Sequence, residues 1–383
     1  MVKKIFKKVM PLVMATTMAL SMSISFAENG NYTEPTVTDN ANITVYKHVL
    51  MNEKANVPDE TFNFTLRAAQ EDEIEDYIKV GIIEGVTTSY STIFTKDVVK
   101  DTAEQVAEYP GIKDKVNTGL KSATKSFNID FSNVDFKEPG VYRYVLEENK
   151  GSNLGMTYDE ITRYVDVYVQ NNQNLNGLVV ESVIMHKDGE SGYIYGLDND
   201  TDTNKDREGK NEGFVNELTT YDLYLEKILK GNQADMNKSF VFTIEIDTSE
   251  LNGVAKDATY ELEVESGTVE ISNIVMSNGK GSTTVSLGNE DKIVVKDLPK
   301  GAKVKITEVN GLYTASYTVD GDTQTSIVNL IIDDNMSVVV TNTLEGTIPT
   351  GVFLAVSPML AVVVIGVMGM MLVKRNHKEE EED

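Results

Sequence analysis

From Asn42 to Asn342 the chain is a series of short runs rich in Val, Ile, Thr and Tyr, in which apolar and polar residues alternate. A period of two puts every second side chain on one face of an extended strand, so this texture commits the chain to β-sheet. The first series is Ile43–Val49, Phe62–Arg67, Ser126–Phe131, Val141–Glu148, Tyr164–Val169 and Gly177–His186. The second, after Tyr221, is Leu223–Leu229, Phe240–Ile246, Thr259–Val264, Thr268–Val275, Thr283–Leu287, Lys292–Val295, Lys303–Glu308, Tyr313–Val319, Ser326–Ile332 and Ser337–Asn342. Two stretches break the rhythm. Asp97 to Tyr109 predicts a weak helix ended by Pro110, and Leu197 to Gly213 a polar, acidic loop. So many strands predict an all-β fold of sandwiches, with a domain boundary near Thr219–Thr220 that separates 41–219 from 220–345.

Each half opens with a strand carrying a lysine and closes with a strand carrying an asparagine, a degenerate two-fold repeat. In both halves the polar residue points the wrong way. Lys47 shares its phase with Ile43, Val45 and Val49, and Lys227 with Leu223, Leu225 and Leu229. Glu148 falls in line with Tyr142, Tyr144 and Leu146, and Glu308 with Val304 and Ile306. Asn216 follows Phe214, and Asn342 follows Met336, Val338 and Val340. Glu147, beside Glu148, belongs to the opposite phase with Val141, Arg143 and Val145.

A lysine in an apolar interior is driven toward its neutral form, and a neutral amine is a nucleophile. A carboxyl in the same pocket is driven toward its protonated form and can then polarise a carbonyl and carry protons. An asparagine side chain beside them is an acyl donor that releases ammonia. Together these are the parts for a Lys–Asn isopeptide bond formed without a separate enzyme. The same residues also suit a buried Lys–Glu ion pair with a hydrogen-bonded Asn, and phase alone leaves both readings open.

The two ends of the chain carry export signals. Met1 to Lys8 contains four lysines, Val9 to Phe26 is apolar and small-residue rich, and Ser25 and Ala27 fit a signal-peptidase site. Residues 1–27 are thus expected to be removed, leaving 28–40 as a flexible leader. At the other end, 346–383 contains Ile348-Pro349-Thr350-Gly351, an apolar run over 352–373 long enough to span a bilayer as a helix, and a basic then acidic tail. That order resembles the sorting signal read by sortases on Gram-positive surface proteins, which implies cleavage between Thr350 and Gly351 and transfer of Thr350 to an amine. The commoner signal is Leu-Pro-any-Thr-Gly; here Ile348 and Pro349 run directly into Thr350, a form that pilin-type signals tolerate.

Lys47 within Ile-Thr-Val-Tyr-Lys, Glu148 within Pro-Gly-Val-Tyr-Arg-Tyr-Val-Leu-Glu-Glu and Asn216 within Phe-Val-Asn resemble the first domain of streptococcal-type backbone pilins. Lys227 within Leu-Tyr-Leu-Glu-Lys, Glu308 within Leu-Pro-Lys-Gly-Ala-Lys-Val-Lys-Ile-Thr-Glu and Asn342 within Val-Val-Val-Thr-Asn resemble the second. The resemblance implies two tandem immunoglobulin-like β-sandwich domains, each crosslinked between its first and last strands by its own Lys–Asn bond, with Glu148 and Glu308 as the assisting acids. It also implies polymerisation through a lysine just ahead of the first domain's last strand, where Lys210 stands, with Lys205 close by. Sortase, neighbouring subunits and peptidoglycan are the partners this implies, on the surface of a Gram-positive cell.

The remaining chemistry is sparse. With 60 acidic against 35 basic residues the net charge is −25, which disfavours nucleic acid. There are no cysteines, so an exported chain must find its robustness elsewhere than in disulfides or do without it. Asp198, Asp200, Asp202, Asn204 and Asp206 alternate as in a calcium loop, but Thr203 and Gly209 stand where such a loop wants Gly and Glu. No metal or cofactor site is assigned, and no nucleophilic triad or phosphate loop that would mark a turnover enzyme is found. The alternative reading is a single-copy, sortase-anchored adhesin that binds a host surface ligand.

Overall fold

The computed structural model describes residues 40–172, 177–187, 213–324 and 328–347. The signal peptide, nearly all of the leader, the acidic loop with Lys205 and Lys210, Thr350, Gly351 and the apolar run over 352–373 lie outside the described residues.

The first domain contains β1 (Asn42–Met51), β2 (Glu60–Ala68), β3 (Ile78–Val80), β4 (Ser89–Phe94), β5 (Lys121–Asp130), β6 (Gly140–Asn149), β7 (Met156–Thr157), β8 (Arg163–Asn172), β9 (Gly177–Lys187) and β10 (Gly213–Leu218). They form two sheets, ordered β5-β1-β10-β7 and β4-β2-β6-β8-β9, with β3 added beside β6. The inner faces bury Val45, Val49, Phe62, Phe64, Leu66, Tyr144, Leu146, Val165, Val167 and Phe214 between the layers. Strict alternation fails on β6. Val145 and Arg143 are buried as well as their inward neighbours, because the excursion after β2 covers the outer face and Arg143 donates to Glu73 O and pairs with Asp166 at 2.8 Å.

The expected helix over 97–109 is shorter than its pattern. Thr102 accepts from Gln105 N and caps α1 (Ala103–Ala107), and Pro110 then opens α2 (Pro110–Asn117) rather than simply closing a helix. Proline fits there because the first helical residue has no use for an N–H. Tyr109, between the helices, packs its ring 5.0 Å from Tyr46 and 4.9 Å from His48, which covers the outer side of β1.

The second domain contains β11 (Thr220–Lys230), β12 (Phe240–Asp247), β13 (Thr259–Tyr260), β14 (Leu262–Ser266), β15 (Ile274–Val275), β16 (Lys280–Leu287), β17 (Lys292–Pro299), β18 (Lys303–Glu308), β19 (Thr314–Val319), β20 (Asp322–Gln324), β21 (Val328–Ile331) and β22 (Met336–Thr343). Sheets β14-β17-β11-β22-β19-β20 and β16-β12-β18-β21 enclose its core. The run at Thr268–Val275 yields only the two residues of β15, and the run at Thr259–Val264 divides between β13 and β14, which pair with different partners.

Thr219 alone separates β10 from β11, and the domains are joined by more than the chain. Asp297, 5% exposed and in the left-handed region at φ 53°, accepts from Asn52 Nδ2 at 2.8 Å, Lys54 N at 3.1 Å and Thr220 Oγ1 at 2.6 Å. Asp59 N and Asn153 Nδ2 both donate to Gly253 O at 3.1 Å.

His48 provides a pH test of the first domain. Its burial, reinforced by the Lys47 charge, holds the imidazole down at about 4. The unfolded chain takes up this proton below about pH 6.5 and the folded domain resists until about 4, so the stability that neutral His48 permits is lost as pH falls through that window. By linkage the loss is about 3 kcal/mol. Urea unfolding at pH 7 and pH 4 should show a smaller pH difference, by that order, in His48→Gln than in the parent; equal slopes would refute the assignment.

Candidate functional site

In each domain the first and last strands lie side by side and parallel, β1 with β10 and β11 with β22. Lys47 is level with Phe214 and Val49 with Asn216; Lys227 is level with Val340 and Leu229 with Asn342. The asparagine thus sits one same-face step beyond its lysine in both domains. The acid comes from the opposite sheet at matched positions, since Glu148 is level with Phe64 and Glu308 with Phe242. Two residues earlier on β2 and β12, Phe62 and Phe240 each place a ring 4.8 Å from the lysine Nζ. The structure therefore brings all six residues singled out by phase into two triads.

In the first triad Lys47 Nζ is 2.7 Å from Glu148 Oε2, while Asn216 Nδ2 donates to Glu148 Oε1 at 2.6 Å. Lys47 and Asn216 are fully buried, and no part of the Glu148 side chain is exposed. Asn216 Oδ1 accepts from Asp159 N at 2.8 Å. In the second, Lys227 Nζ is 3.1 Å from Glu308 Oε1 and donates to Val340 O at 3.2 Å, and Asn342 Nδ2 donates to the same Oε1 at 2.9 Å. Glu308 Oε2 and Asn342 Oδ1 are buried without a hydrogen-bond partner among the described residues.

Burial dominates the electrostatics. It pulls the Lys47 and Lys227 amines down to about 8, against the opposing pull of Glu148 and Glu308. The same burial pushes both carboxyls up, against the attraction of the lysines. Both shifts move the pair from buried ions toward the neutral amine and the protonated acid. The carboxyl touches nucleophile and leaving group together, so it can take a proton at one and return a proton at the other.

Glu147 is excluded from this chemistry by its position: its side chain is 42% exposed and lies 3.3 Å from Arg67. Three further residues belong to the first site. Glu60, at the head of β2, accepts from Tyr158 Oη at 2.5 Å and its carboxyl is raised by burial. Arg163, 1% exposed, binds Asp159 and the Gly213 carbonyl. Glu60 shares the phase of Phe62 and Phe64, and Arg163 that of Val165 and Val167, so both carry the signal that singled out the six. Asp159 acts through its backbone N–H and leaves no such mark.

Residues 43–219 match the family model described as the Spy0128-like isopeptide containing domain. The first domain belongs to that family. Residues 221–344 match a domain family of unknown function. Over 358 residues the chain is 25% identical to a pilin of Streptococcus pyogenes serotype M1, covering 90% of this chain and 93% of that one. Among solved structures, the major pilin T3.2 of S. pyogenes aligns with TM-score 0.54 at 24% identity, covering 79% of this chain and 98% of its own. Another major pilin of S. pyogenes aligns with TM-score 0.57 at 20% identity, covering 80% and 100%. The chain is a pilin of the streptococcal type, a structural subunit of a Gram-positive surface pilus.

If the two triads close as amides, their contacts make Glu148 and Glu308 the assisting acids. In this pilin, Glu148→Ala should abolish only the ammonia loss of the first domain and Glu308→Ala only that of the second, whereas Glu147→Ala should retain neither ammonia. Intact-mass measurement with peptide mapping reads all three, and an effect of Glu147→Ala equal to that of Glu148→Ala would overturn the assignment.

Proposed function

We propose that this pilin forms the covalent shaft of its pilus and that each domain closes its own Lys–Asn amide. The supporting observation is the recurrence, in both domains and in the same register, of a buried carboxyl that contacts a lysine Nζ and an asparagine Nδ2 at once. The neutral amine attacks Cγ of the asparagine and a C–N bond forms. The acid takes a proton from Nζ and delivers one to Nδ2, the Cγ–Nδ2 bond breaks, and ammonia leaves. One amine and one primary amide become one secondary amide and ammonia. The acid ends as it began and the buried charge is gone. Each site works once, so the protein is no turnover enzyme.

Between subunits, a sortase is the proposed joining enzyme. It would cut between Thr350 and Gly351 and pass the Thr350 carbonyl to Lys210 of the next subunit, with the basal subunit transferred to peptidoglycan. The apolar 352–373 segment would hold the precursor in the membrane until then. A single-copy adhesin is the alternative, and polymerisation separates the two. Wall extracts on a denaturing gel should give a ladder that collapses in Lys210→Ala; a single band in the parent would favour the adhesin, and an unchanged ladder in the variant would move the linkage elsewhere.

The internal bonds replace disulfides. Each closes a loop of roughly a whole domain, which by chain-entropy reasoning contributes about 5 kcal/mol, or ~10–20 °C in the Tm of a domain this size. Recombinant residues 28–346 should weigh two ammonia molecules less than the sequence mass. Asn216→Ala and Asn342→Ala should each melt one domain earlier by that order in calorimetry. An unmodified mass or unshifted transitions would reject the crosslinks.

A further inference from the structure

The two triads differ in one respect that their shared register does not require. Asn216 Oδ1 accepts a hydrogen bond from the backbone N–H of Asp159 at 2.8 Å, whereas Asn342 Oδ1 has no partner among the described residues. A backbone N–H can only donate, so in the first domain it settles which end of the amide is oxygen and turns Nδ2 toward Glu148. It also points at the atom where negative charge gathers when Nζ adds to Cγ.

That N–H is held by a clip. Asp159 Oδ2 accepts from Val215 N at 2.9 Å, on the residue just before Asn216, and from Arg163 Nη2 at 2.5 Å; Asp159 Oδ1 accepts from Ile161 N at 3.0 Å. Arg163 also donates through Nη2 and Nε to Gly213 O, at 3.1 and 3.3 Å, and its guanidinium lies 4.5 Å from the Phe214 ring. Gly213 has no room for a side chain, since a Cβ there would stand 2.1 Å from Tyr46 O. The clip thus grips β10 where its backbone lies close against β1. Tyr158, the residue before Asp159, belongs to a separate set of hydrogen bonds that reaches the neighbouring domain. Tyr158 Oη donates to Glu60 and accepts from Asn153 N at 3.0 Å, and Asn153 Nδ2 donates to Gly253 O of the second domain.

We propose that Asp159 and Arg163 form a positioning clip for the first-domain crosslink, with the Asp159 N–H acting as the oxyanion donor at Asn216 Oδ1, and that the second-domain crosslink closes without such a donor. This rests on the reading that both triads form amides. Arg163 touches no reacting atom and acts through Asp159. An oxyanion-hole donor typically contributes a factor of ~10²–10³ in rate. The first bond should therefore outrun the second in the same molecule, and loosening the clip should slow the first bond alone.

The test follows both ammonia losses by quenched mass spectrometry and peptide mapping, as residues 28–346 refold from denaturant-solubilised, uncrosslinked chains. In the parent the Lys47–Asn216 bond should close first. Asp159→Ala should slow it by ten-fold or more, while Lys227–Asn342 keeps its rate as an internal clock. Arg163→Lys keeps the charge but loses the second, Nε contact to Gly213 O, so it should slow the first bond by less than Asp159→Ala does; Asp159→Asn, whose single amide oxygen can accept from Val215 N or from Ile161 N but not from both, should do likewise. Asp159→Ala combined with Asn216→Ala controls for folding: its melting temperature should stay close to that of Asn216→Ala alone. An unchanged first rate in Asp159→Ala, a second-domain bond that closes first in the parent, or a slowdown matched by lost stability in the double variant would each overturn the clip. Loss of no ammonia by the parent would instead overturn the crosslinks themselves.

Discussion

The fold is arranged around a primary amine that has no water to go to. Lys47 and Lys227 are fully buried between two sheets, each with an aromatic ring against Nζ and one carboxyl in direct contact. Left as ions, such a pair costs more desolvation than its attraction returns unless every remaining hydrogen bond is made. The second site leaves Glu308 Oε2 and Asn342 Oδ1 unmade, so as an ion pair it is a poor structural device. As a set of reactants it is a good one, because the amide it leads to is neutral. On the proposed chemistry, the desolvation that folding imposes on the amine is what would neutralise and activate it.

This explains why first and last strands are neighbours in both domains. A crosslink between adjacent parallel strands needs only a one-step offset between lysine and asparagine, and both domains use the same offset. The acid must then come from the facing sheet, and β6 and β18 supply it opposite Phe64 and Phe242. What the domains do not share lies outside this frame: the helices over β1, the excursion over β6, and the Asp159 clip. The common frame holds the reactants, and the additions of the first domain tune them.

Much of this frame is legible in the sequence, because strand phase is a local property. Lys47, Glu148 and Asn216 each betray themselves by standing among apolar neighbours of the same parity, and so do Lys227, Glu308 and Asn342. Glu60 and Arg163 stand out by the same criterion and are found the same way once the structure directs attention to them. What phase cannot register is a backbone donor such as Asp159 N, a proline that opens a helix, or an outer face covered by a distant segment, as at Arg143. Thr268–Val275 reads as a strand for a related reason: its composition suits one, but a strand also needs a free edge to pair with, and only Ile274 and Val275 find theirs in Thr259 and Tyr260.

Mechanically the two bonds stand in different relations to the chain's ends. If the preceding subunit is attached at Lys210, as proposed, tension would enter shortly before β10, pass Asn216, and cross Thr219 into β11. From there it reaches Lys227, and a closed Lys227–Asn342 amide carries it directly to β22 and on toward Thr350, so the intervening chain of the second domain is bypassed. The body of the first domain lies before Asn216 in the chain and hangs beside that route, tied to it by the Lys47 bond and by the contacts of Asp297 and Gly253 across the joint. On that proposed linkage, the second bond would be the one that limits extension under load. The first would then serve to keep folded a domain that the load path scarcely touches, and a bond needed for folding integrity rather than for tension is the one that would gain most from closing early.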